Sequence, residues 1–502
     1  MSTQAIIWTT IAVYAVFMLI TGILNSKSSS TISSFTVGGR NAGAWISALS
    51  YGTAYFSAVM FIGYAGNTGW SFGLWAVACG IGNAVFGSWL AWKVLAKRTR
   101  DVSSRLKLKT MPDFFQARYQ SPSMKFFSAA VIYIFLLPYS ASVYKGLTSV
   151  CSVLLGIDDT LCMIIIAIAA AVILTLGGYL AALKADFVQG IVMMFGIAFL
   201  IFFVFKSPAV QNGGGLSGMW NFMKQNQMVP LSSKNTIALL STVLMTSFGT
   251  WGLPQMIHKY YGIRDDKEVK RGTYISTFFA LLVAGGGYLI GSMSHLFFNE
   301  IPQGGKDFIV PNMLKQANLP AILLGIVLVL LISASVSTLT SITLSASSTL
   351  SLDLINPKLK KPLSDKSMAT LTKVLCILFV VASYFIANSD TPILDMMSYS
   401  WGIISGSFLA PYMLALYWKK ITKSAAWTSI ISGFVIAFIP AGSMLINLVC
   451  PTDITVSLAA MGPQFAVVAM VVSMLLCVVV TLITAKDKDY NKTFYEGVVE
   501  AE

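Results

Sequence analysis

Charged residues are scarce in this chain of 502 residues: Asp, Glu, Lys and Arg make up 11%, while 56% of the residues are apolar. Soluble globular proteins carry about 25% charged residues, so a water-facing fold of this size is excluded. The composition instead predicts an integral membrane protein with short loops. It leaves no room for a receptor kinase, a nucleic-acid enzyme or a secreted protein.

Residues that build metal centres and catalytic sites are also few. Two histidines, His258 and His295, lie far apart in sequence, and the six cysteines have no spacing typical of a metal site. The apolar stretches contain no nucleophile constellation and no paired carboxylates. A histidine-based metal centre is not expected, and the chain is predicted not to be an enzyme.

Thirteen stretches are apolar, or apolar with Gly and Ser, and long enough to cross a bilayer, which takes about 20 residues per helix. We number them spans 1 to 13, over residues 5–24, 44–66, 69–94, 124–155, 160–180, 186–205, 234–261, 271–297, 320–351, 367–388, 391–418, 424–447 and 462–484. The predicted fold class is an all-α integral membrane protein with 13 transmembrane helices. Span 1 has no basic flank or cleavage site, so it is expected to be retained rather than removed as a signal peptide.

The basic residues that give the chain its net charge of +14 are concentrated in the loops on one side of the predicted spans. If the N-terminus lies outside, most Lys and Arg residues fall on the inner side, in clusters within 97–118, 259–271, 358–361 and 419–423. The outer loops contain only Lys206, Lys224, Lys234, Lys306 and Lys315. This asymmetry predicts a multi-pass plasma membrane protein with its C-terminus in the cytoplasm. The expected surroundings are a lipid bilayer, whose anionic lipids the basic side attracts; no nucleic-acid partner is expected, and the oligomeric state stays open.

A four-residue pattern of Ser, aromatic, Gly and Thr occurs in mid-span twice, at 50–53 in span 2 and at 247–250 in span 7, where Pro254 follows. Irregular backbone is tolerated in a bilayer only where protein buries it or it lines a wet cavity. Paired interrupted helices in two inverted halves indicate a transport site. The alternative is a chance recurrence of residues that are common in membrane helices.

The offset of five spans between the two patterns predicts a 5+5 inverted repeat of helices 2–6 and 7–11. The expected units are 1–43, the first helix with its inner loop; 44–205, the first five-helix repeat; and 206–418, the second repeat. Two peripheral helices follow over 419–485, and 486–502 is a short cytoplasmic tail.

Span 9 is rich in hydroxyl groups: 12 of the 19 residues over 333–351 are Ser or Thr. Ala334, Ser337, Thr338 and Ser341 fall on one helical face, where hydroxyl and carbonyl oxygens suit a weakly held cation. The alternative is that these hydroxyls bond back to carbonyls of their own helix and serve as small packing residues. We expect the cation role for the turn of Ser337 and Thr338.

Taken together, these features resemble the sodium:solute symporter family, which contains bacterial proline, pantothenate, acetate, sialic acid and sugar symporters and has the leucine-transporter fold. The resemblance rests on the thirteen spans, the run Phe-Thr-Val-Gly-Gly-Arg over 35–40, residues 247–254, the stretch from 177–178 to 186–189, and Ser-Thr-Leu at 337–339. It extends over nearly the whole chain.

The resemblance implies Na⁺-coupled uptake of a small organic solute by alternating access, with Na⁺ as the co-transported ion. It implies a sodium site on Thr53, Phe56, Ala334, Ser337 and Thr338. In some members a second sodium position exists, which here would be Asp186, Thr340 and Ser341; Asp186 is alternatively an N-cap of the helix of span 6. Arg40, at the inner mouth, is expected to be a gate or a topology anchor.

The solute cavity of this fold lies between helices 2, 4, 7, 9 and 11, so the residues expected to line it are Tyr55, Ser57, Tyr139, Ser247, Thr250 and Trp251. Proline-type members have an aspartate at the position of Tyr55 and aromatic residues at those of Thr246 and Thr250. These departures count against proline as the solute without excluding it, and the solute class stays an amino acid, a monocarboxylate or a vitamin-like molecule. The alternatives for the chain are a proton-coupled transporter and a transporter-like solute sensor.

Overall fold

The computed structural model describes residues 3–25, 32, 36, 40–361, 363–389, 391–485 and 492–495. In the run 35–40, residues 35 and 37–39 lie outside the described residues, as does most of the predicted tail 486–502. The Gly-Gly pair at 177–178 lies within 173–181, where only the backbone is described.

The described part of the chain is helical and contains no strand, apart from one isolated bridge between Ala42 and Ile263. The all-α prediction is therefore confirmed. The longer helices are Thr3–Asn25, Ala44–Tyr55, Pro122–Leu155, Asp159–Lys206, Ser233–Phe248, Asp266–Gly291, Ala321–Thr349, Asp365–Ala387, Ile393–Tyr417, Lys423–Asn447 and Gly462–Thr484. Shorter helices are Met111–Tyr119, Gly215–Gln225, Pro254–Tyr261, Ile309–Gln316 and Asp453–Ala459.

The count of thirteen spans is not confirmed and stays a prediction. Among the described residues, eight helices are long and apolar enough to cross a membrane, or nine if the bent pair Ser233–Gly252 and Pro254–Tyr261 forms one span. One of the eight covers Val59–Arg105 and so combines the second half of span 2 with all of span 3. The helix continues through the predicted loop at 67–68, and the chain turns at Gly73, whose φ of 56° and ψ of −134° are not helical.

One face of the bundle is rich in ion pairs, and we call it the basic face. Lys125 pairs with Asp353 at 3.1 Å near the start of Pro122–Leu155, and Arg264 pairs with Glu268 at 2.8 Å near the start of Asp266–Gly291. The one-turn helix Lys492–Tyr495 also docks there, where the Tyr495 hydroxyl accepts a hydrogen bond from Arg118 Nε at 2.9 Å.

The predicted spans 5 and 6 lie in one helical segment, Asp159–Lys206, which is not one straight helix because both of its ends lie on the same side of the bundle. Both of its ends lie opposite the basic face. Asp159 follows the far end of Pro122–Leu155, and the loop after Lys206 contacts Leu296, beyond the far end of Asp266–Gly291. Because the segment starts and finishes on the same side of the bundle, its contacts agree with two crossings.

Both predicted helix interruptions are present. In span 2 the helix Ala44–Tyr55 ends at Phe56, whose backbone is extended with φ −107° and ψ 102°. In span 7 a short 3₁₀ turn, Gly249–Gly252, leads to an extended Leu253, and a new helix begins at Pro254 with a bend of 50°. The span 2 break lies just after the 50–53 pattern, because Gly52 and Thr53 remain helical and the chain opens at Phe56 and Ser57.

Glycines allow the second part of span 2 to pack directly on the backbone of span 8. A Cβ on Gly291 would lie well under 3.0 Å from the carbonyl oxygen of Ala65, and a Cβ on Gly69 would clash equally with the backbone of Gly291. In contrast, a Cβ on Gly285 of the same helix would meet only a Leu281 methyl at 3.9 Å.

We expect Gly291→Ala to lower the midpoint of thermal unfolding by several degrees, because overpacking against rigid backbone costs about 1–3 kcal/mol. Gly285→Ala is the matched control; it should leave the midpoint unchanged or raise it, since alanine favours helix by up to about 1 kcal/mol over glycine. The measurement is thermal unfolding of purified protein in detergent. Equal midpoints for the two variants would contradict this account of the packing.

Candidate functional site

The end of the first half of span 2 meets the hydroxyl-rich span 9 inside the bundle. The last four carbonyls of a helix have no partner within it, and the Thr53 carbonyl is one of these. The Thr338 hydroxyl donates to it at 3.0 Å and lies at the same distance from the carbonyl of Ala334. Ser337 Oγ lies 2.9 Å from Thr53 Oγ1. Four of the residues predicted for a sodium site are thus in mutual contact.

Phe56, the fifth residue of that set, lies where the helix opens. Its N–H makes the last hydrogen bond of the helix, to the carbonyl of Gly52 at 2.9 Å, and its own carbonyl lies in extended backbone. The side chains of Thr53, Phe56, Ser337 and Thr338 are at most 1% exposed. The site is therefore dry, and oxygen atoms from two helices converge in it.

A buried ion pair lies beside this cluster. Asp186 Oδ2 is 3.0 Å from Lys259 Nζ, and the two side chains are 1% and 3% exposed. Ser50 donates to the same carboxylate oxygen and is 2.8 Å from the ammonium. Ser337 donates to the other oxygen, Asp186 Oδ1, at 2.5 Å. Every group in this network has a partner, which a buried pair requires to offset the cost of removing two charges from water.

Two expectations are corrected by this pair. Lys259 is not a loop residue on the inner side: it lies in the helix Pro254–Tyr261 and is only 4% exposed, so it is turned inward rather than toward anionic lipid. Asp186 is not an N-cap, because the backbone is helical on both sides of it and its carboxylate receives only side-chain donors.

The other residues expected at a second sodium position make no hydrogen bond to Asp186 in the described part of the chain. The Thr340 hydroxyl donates back to the Ser337 carbonyl at 2.9 Å in its own helix. Ser341 Oγ is buried and has no hydrogen-bond partner among the described residues. Ser50 and Lys259, which the sequence reasoning did not assign to the site, are the groups that contact Asp186 together with Ser337.

Aromatic side chains line the other side of the span 2 break. The Tyr55 ring stacks on Phe56 with centroids 4.1 Å apart, and its hydroxyl donates to the Thr246 carbonyl at 2.5 Å. Trp401, from Ile393–Tyr417, lies 6.1 Å from the Tyr55 ring and packs edge-on against Tyr139 at 5.5 Å. Spans 2, 4, 7 and 11 therefore meet at this aromatic cluster, which we define as Tyr55, Phe56, Tyr139 and Trp401.

The remaining expected lining residues contact span 3. Ser247 Oγ is 3.3 Å from Asn83 Oδ1, and the Trp251 indole donates to the Phe86 carbonyl at 3.0 Å. Thr250 donates to the Ser247 carbonyl at 2.9 Å. Ser57 lies at the break itself, where its Oγ accepts from the N–H of Val59 at 3.2 Å. Of the six predicted residues, only Tyr55 and Tyr139 belong to the aromatic cluster.

Arg40 connects three segments at the basic face. Its guanidinium donates to the carbonyls of Leu108 at 2.6 Å and Tyr261 at 3.1 Å, and to the Ser103 hydroxyl at 3.1 Å. The residue has a positive φ of 56°, a conformation uncommon outside glycine. Arg40 therefore fastens the chain before span 2 to the end of span 7, a position that suits the predicted gate or anchor.

Comparison with known proteins supports the same class of molecule. Residues 35–433 match the model of the sodium:solute symporter family. The chain belongs to the sodium:solute symporter family. This family consists of transporters rather than enzymes, and membership supports sodium-coupled symport in a multi-pass membrane protein as the activity.

Relatives of this symporter family member include two proteins of Bacillus subtilis strain 168. The osmoregulated proline transporter OpuE is 24% identical over 511 residues, covering 100% of this chain and 99% of that protein. The high-affinity proline transporter PutP is 27% identical over 444 residues, covering 85% and 90%.

Solved structures of transporters show the fold. A Na⁺-coupled sialic acid symporter in a substrate-bound outward-open state has a TM-score of 0.75 at 16% identity, covering 96% of this chain and 98% of that one. Mhp1, a nucleobase-cation-symport-1 transporter, has a TM-score of 0.54 at 12% identity, covering 91% and 96%. The predicted leucine-transporter-like fold is confirmed by these likenesses, which concern the fold alone.

The hydrogen bond between Tyr55 and Thr246 gives a test of the aromatic cluster. We expect Tyr55→Phe to lower the free energy of unfolding by about 1–3 kcal/mol, because the buried Thr246 carbonyl loses a donor. Tyr274→Phe, at a position 73% exposed, is the control and should change stability by no more than about 0.5 kcal/mol. Chemical unfolding in detergent measures both, and a Tyr55→Phe effect no larger than the control would show that this bond contributes nothing.

Proposed function

We propose that this protein is a Na⁺-coupled symporter that takes up a small organic solute, of the amino acid, monocarboxylate or vitamin-like class, by alternating access. One observation carries the proposal: Thr338 Oγ1 lies 3.0 Å from both the Thr53 carbonyl of the broken span 2 and the Ala334 carbonyl of span 9. Oxygens of two separate helices thus converge in a dry interior, which is the setting that a transported cation needs.

The chemistry of this cluster suits sodium. Hard cations prefer carbonyl, hydroxyl and carboxylate oxygens, and the candidate ligands are the carbonyls of Thr53, Phe56 and Ala334 with the hydroxyls of Ser337 and Thr338. The Thr338 hydroxyl donates to the Thr53 carbonyl, one of the oxygens that the ion would use, and the Ser337 hydroxyl lies 2.9 Å from Thr53 Oγ1 beside it. A bound cation would take over the role of the Thr338 proton at this carbonyl.

The solute would bind at the aromatic cluster, directly across the span 2 break from the sodium ligands. Tyr55 and Phe56 are neighbours of Thr53 in sequence, so a solute that contacts their rings also fixes the backbone that contributes the sodium ligands. Binding of one ligand then favours binding of the other, and this coupling is reciprocal. The aromatic cluster consists of rings and contains no carboxylate, and this composition favours a solute with an apolar or planar part.

The basic face would lie in the cytoplasm, with the N-terminus outside. Lys and Arg residues in short loops favour the cytoplasmic side, and Arg40 closes this face by holding the end of span 7. Release of sodium and solute to the cytoplasm would require the Arg40 contacts with Leu108 and Tyr261 to open.

Uptake into proteoliposomes tests the function. Radiolabelled amino acids, monocarboxylates and vitamins should be screened with an inward sodium gradient, and with a pH gradient in choline chloride as the comparison. We expect at least one solute to accumulate only with sodium. Accumulation that follows the pH gradient and ignores sodium would identify a proton-coupled transporter, while solute binding without net uptake would identify a sensor.

Thr338→Val tests the sodium site without knowledge of the solute. A ligand in 100-fold excess over its Kd stabilises a protein by about 2.7 kcal/mol, so NaCl should raise the unfolding midpoint of the wild type above that in choline chloride. Thr338→Val should reduce sodium affinity at least about tenfold, or about 1.4 kcal/mol, and so shrink this increment. The control Thr277→Val removes a hydroxyl that bonds only to the Thr273 carbonyl of its own helix. An undiminished increment in Thr338→Val would remove Thr338 from the site.

A further inference from the structure

Lys259 is the feature that the proposed transport scheme does not use. Its ammonium lies deep in the bundle, against the carboxylate that the sequence resemblance assigns to a second sodium position. Ionisable groups at membrane depth are costly and indicate function. The helix that carries Lys259, Pro254–Tyr261, is the second half of the broken span 7, so the ammonium comes from the opposite repeat to Asp186.

We propose that the Lys259 ammonium permanently occupies the second cation position, so that this carrier binds and moves a single sodium ion. The proposal rests on the proposed function, because it presumes that the first ion binds at Thr53, Ser337 and Thr338. In place of a second sodium, the protein has a cation that is covalently part of the chain and is never released.

The contacts of Lys259 are those expected of a cation in an oxygen site. The ammonium is 3.0 Å from Asp186 Oδ2 and 2.8 Å from Ser50 Oγ. An ammonium is a compact charge with three donors, so it satisfies several oxygens at once. Ser50 in turn donates to Asp186, which leaves the carboxylate fully engaged.

The charge balance excludes a second sodium ion while Lys259 is in place. Among the ion pairs of the described residues, Asp186 is the carboxylate paired with Lys259, and the ammonium neutralises it. An additional cation would lie next to an ammonium in a dry interior, where like charges repel strongly. Thr340 donates to the Ser337 carbonyl, and neither Thr340 nor Ser341 is hydrogen-bonded to Asp186 among the described residues.

Ser337 joins the pair to the first sodium site. Its hydroxyl lies within donating distance of both Asp186 Oδ1, at 2.5 Å, and Thr53 Oγ1, at 2.9 Å, so it contacts the carboxylate and the first sodium site together. The Asp186–Lys259 pair therefore orients a ligand of the first ion without holding an ion itself. We therefore expect the Asp186–Lys259 pair to hold no ion and Ser337 to serve as a ligand of the sodium ion.

Equilibrium binding of sodium-22 to purified protein in detergent tests the proposal without any solute. We expect the wild type to bind one ion per chain with a Hill coefficient of about 1. Lys259→Met removes the charge but keeps the length of the side chain, and it should bind two ions per chain, because the Asp186 carboxylate then needs a counter-ion. Lys259→Arg retains a cation and should again bind one.

The double variant Asp186→Asn/Lys259→Met separates this effect from a general disturbance. It removes both charges and should bind one ion per chain, with lower affinity than the wild type because Ser337 loses its carboxylate acceptor. If Lys259→Met alone is too unstable to purify in choline chloride, its unfolding midpoint in NaCl is the second measurement. We expect sodium to raise that midpoint more than it raises the midpoint of the wild type.

The number of sodium ions bound by the wild type and the variants tests this proposal separately from the proposed function. Two ions bound to the wild type, or one ion bound to a well-folded Lys259→Met, would overturn the proposal and leave sodium-coupled transport intact. Two ions bound to the double variant would also overturn it, since the second ion would not depend on Asp186. A wild type that binds no sodium would overturn both the proposed function and this inference.

Discussion

The need to satisfy backbone oxygens where a helix stops inside a membrane protein is the constraint on which this structure depends. Span 2 opens at Phe56, and the freed carbonyl of Thr53 has no water to bind. The Thr338 hydroxyl supplies the missing donor. This explains why a hydroxyl-rich span lies against a broken one: the oxygens that make the break tolerable are also those that the proposed sodium site would use.

The breaks also determine where charge is allowed. Span 7 stops at Leu253 and restarts at Pro254, and the new helix turns by 50°, which carries Lys259 inward to Asp186. Neither residue is tolerable alone at this depth, because removal of one partner of a buried pair typically costs about 3–5 kcal/mol. The network joins span 2, the Asp186 helix, span 7 and span 9, so both repeats contribute to it, and Arg40 fastens the same half of span 7 at the basic face.

Much of the fold was predictable, because composition and the Ser-aromatic-Gly-Thr pattern depend on local sequence. The approach of Thr53 to Ser337 and Thr338 was predictable as well, since hydroxyls in a membrane helix need buried partners. The inward position of Lys259 was not predictable, because a count of basic residues along the chain treats every lysine at the end of a span as a loop residue. Trp401 was missed because span 11 has no break to draw attention to it. The helical connection between spans 5 and 6 was missed because no residue pattern distinguishes it from a loop between two spans.

The buried lysine also bears on how far the carrier can concentrate its cargo. A sodium ion gains about 2.3 kcal/mol on crossing 100 mV and about 1.4 kcal/mol from a tenfold difference in its concentration. With a single mobile ion, the accumulation ratio of a neutral solute is therefore limited to the order of several hundred. A second mobile ion would square that ratio. Under the proposal that Lys259 takes the second cation position, the carrier would reach a lower accumulation ratio and would admit less sodium to the cell with each imported molecule.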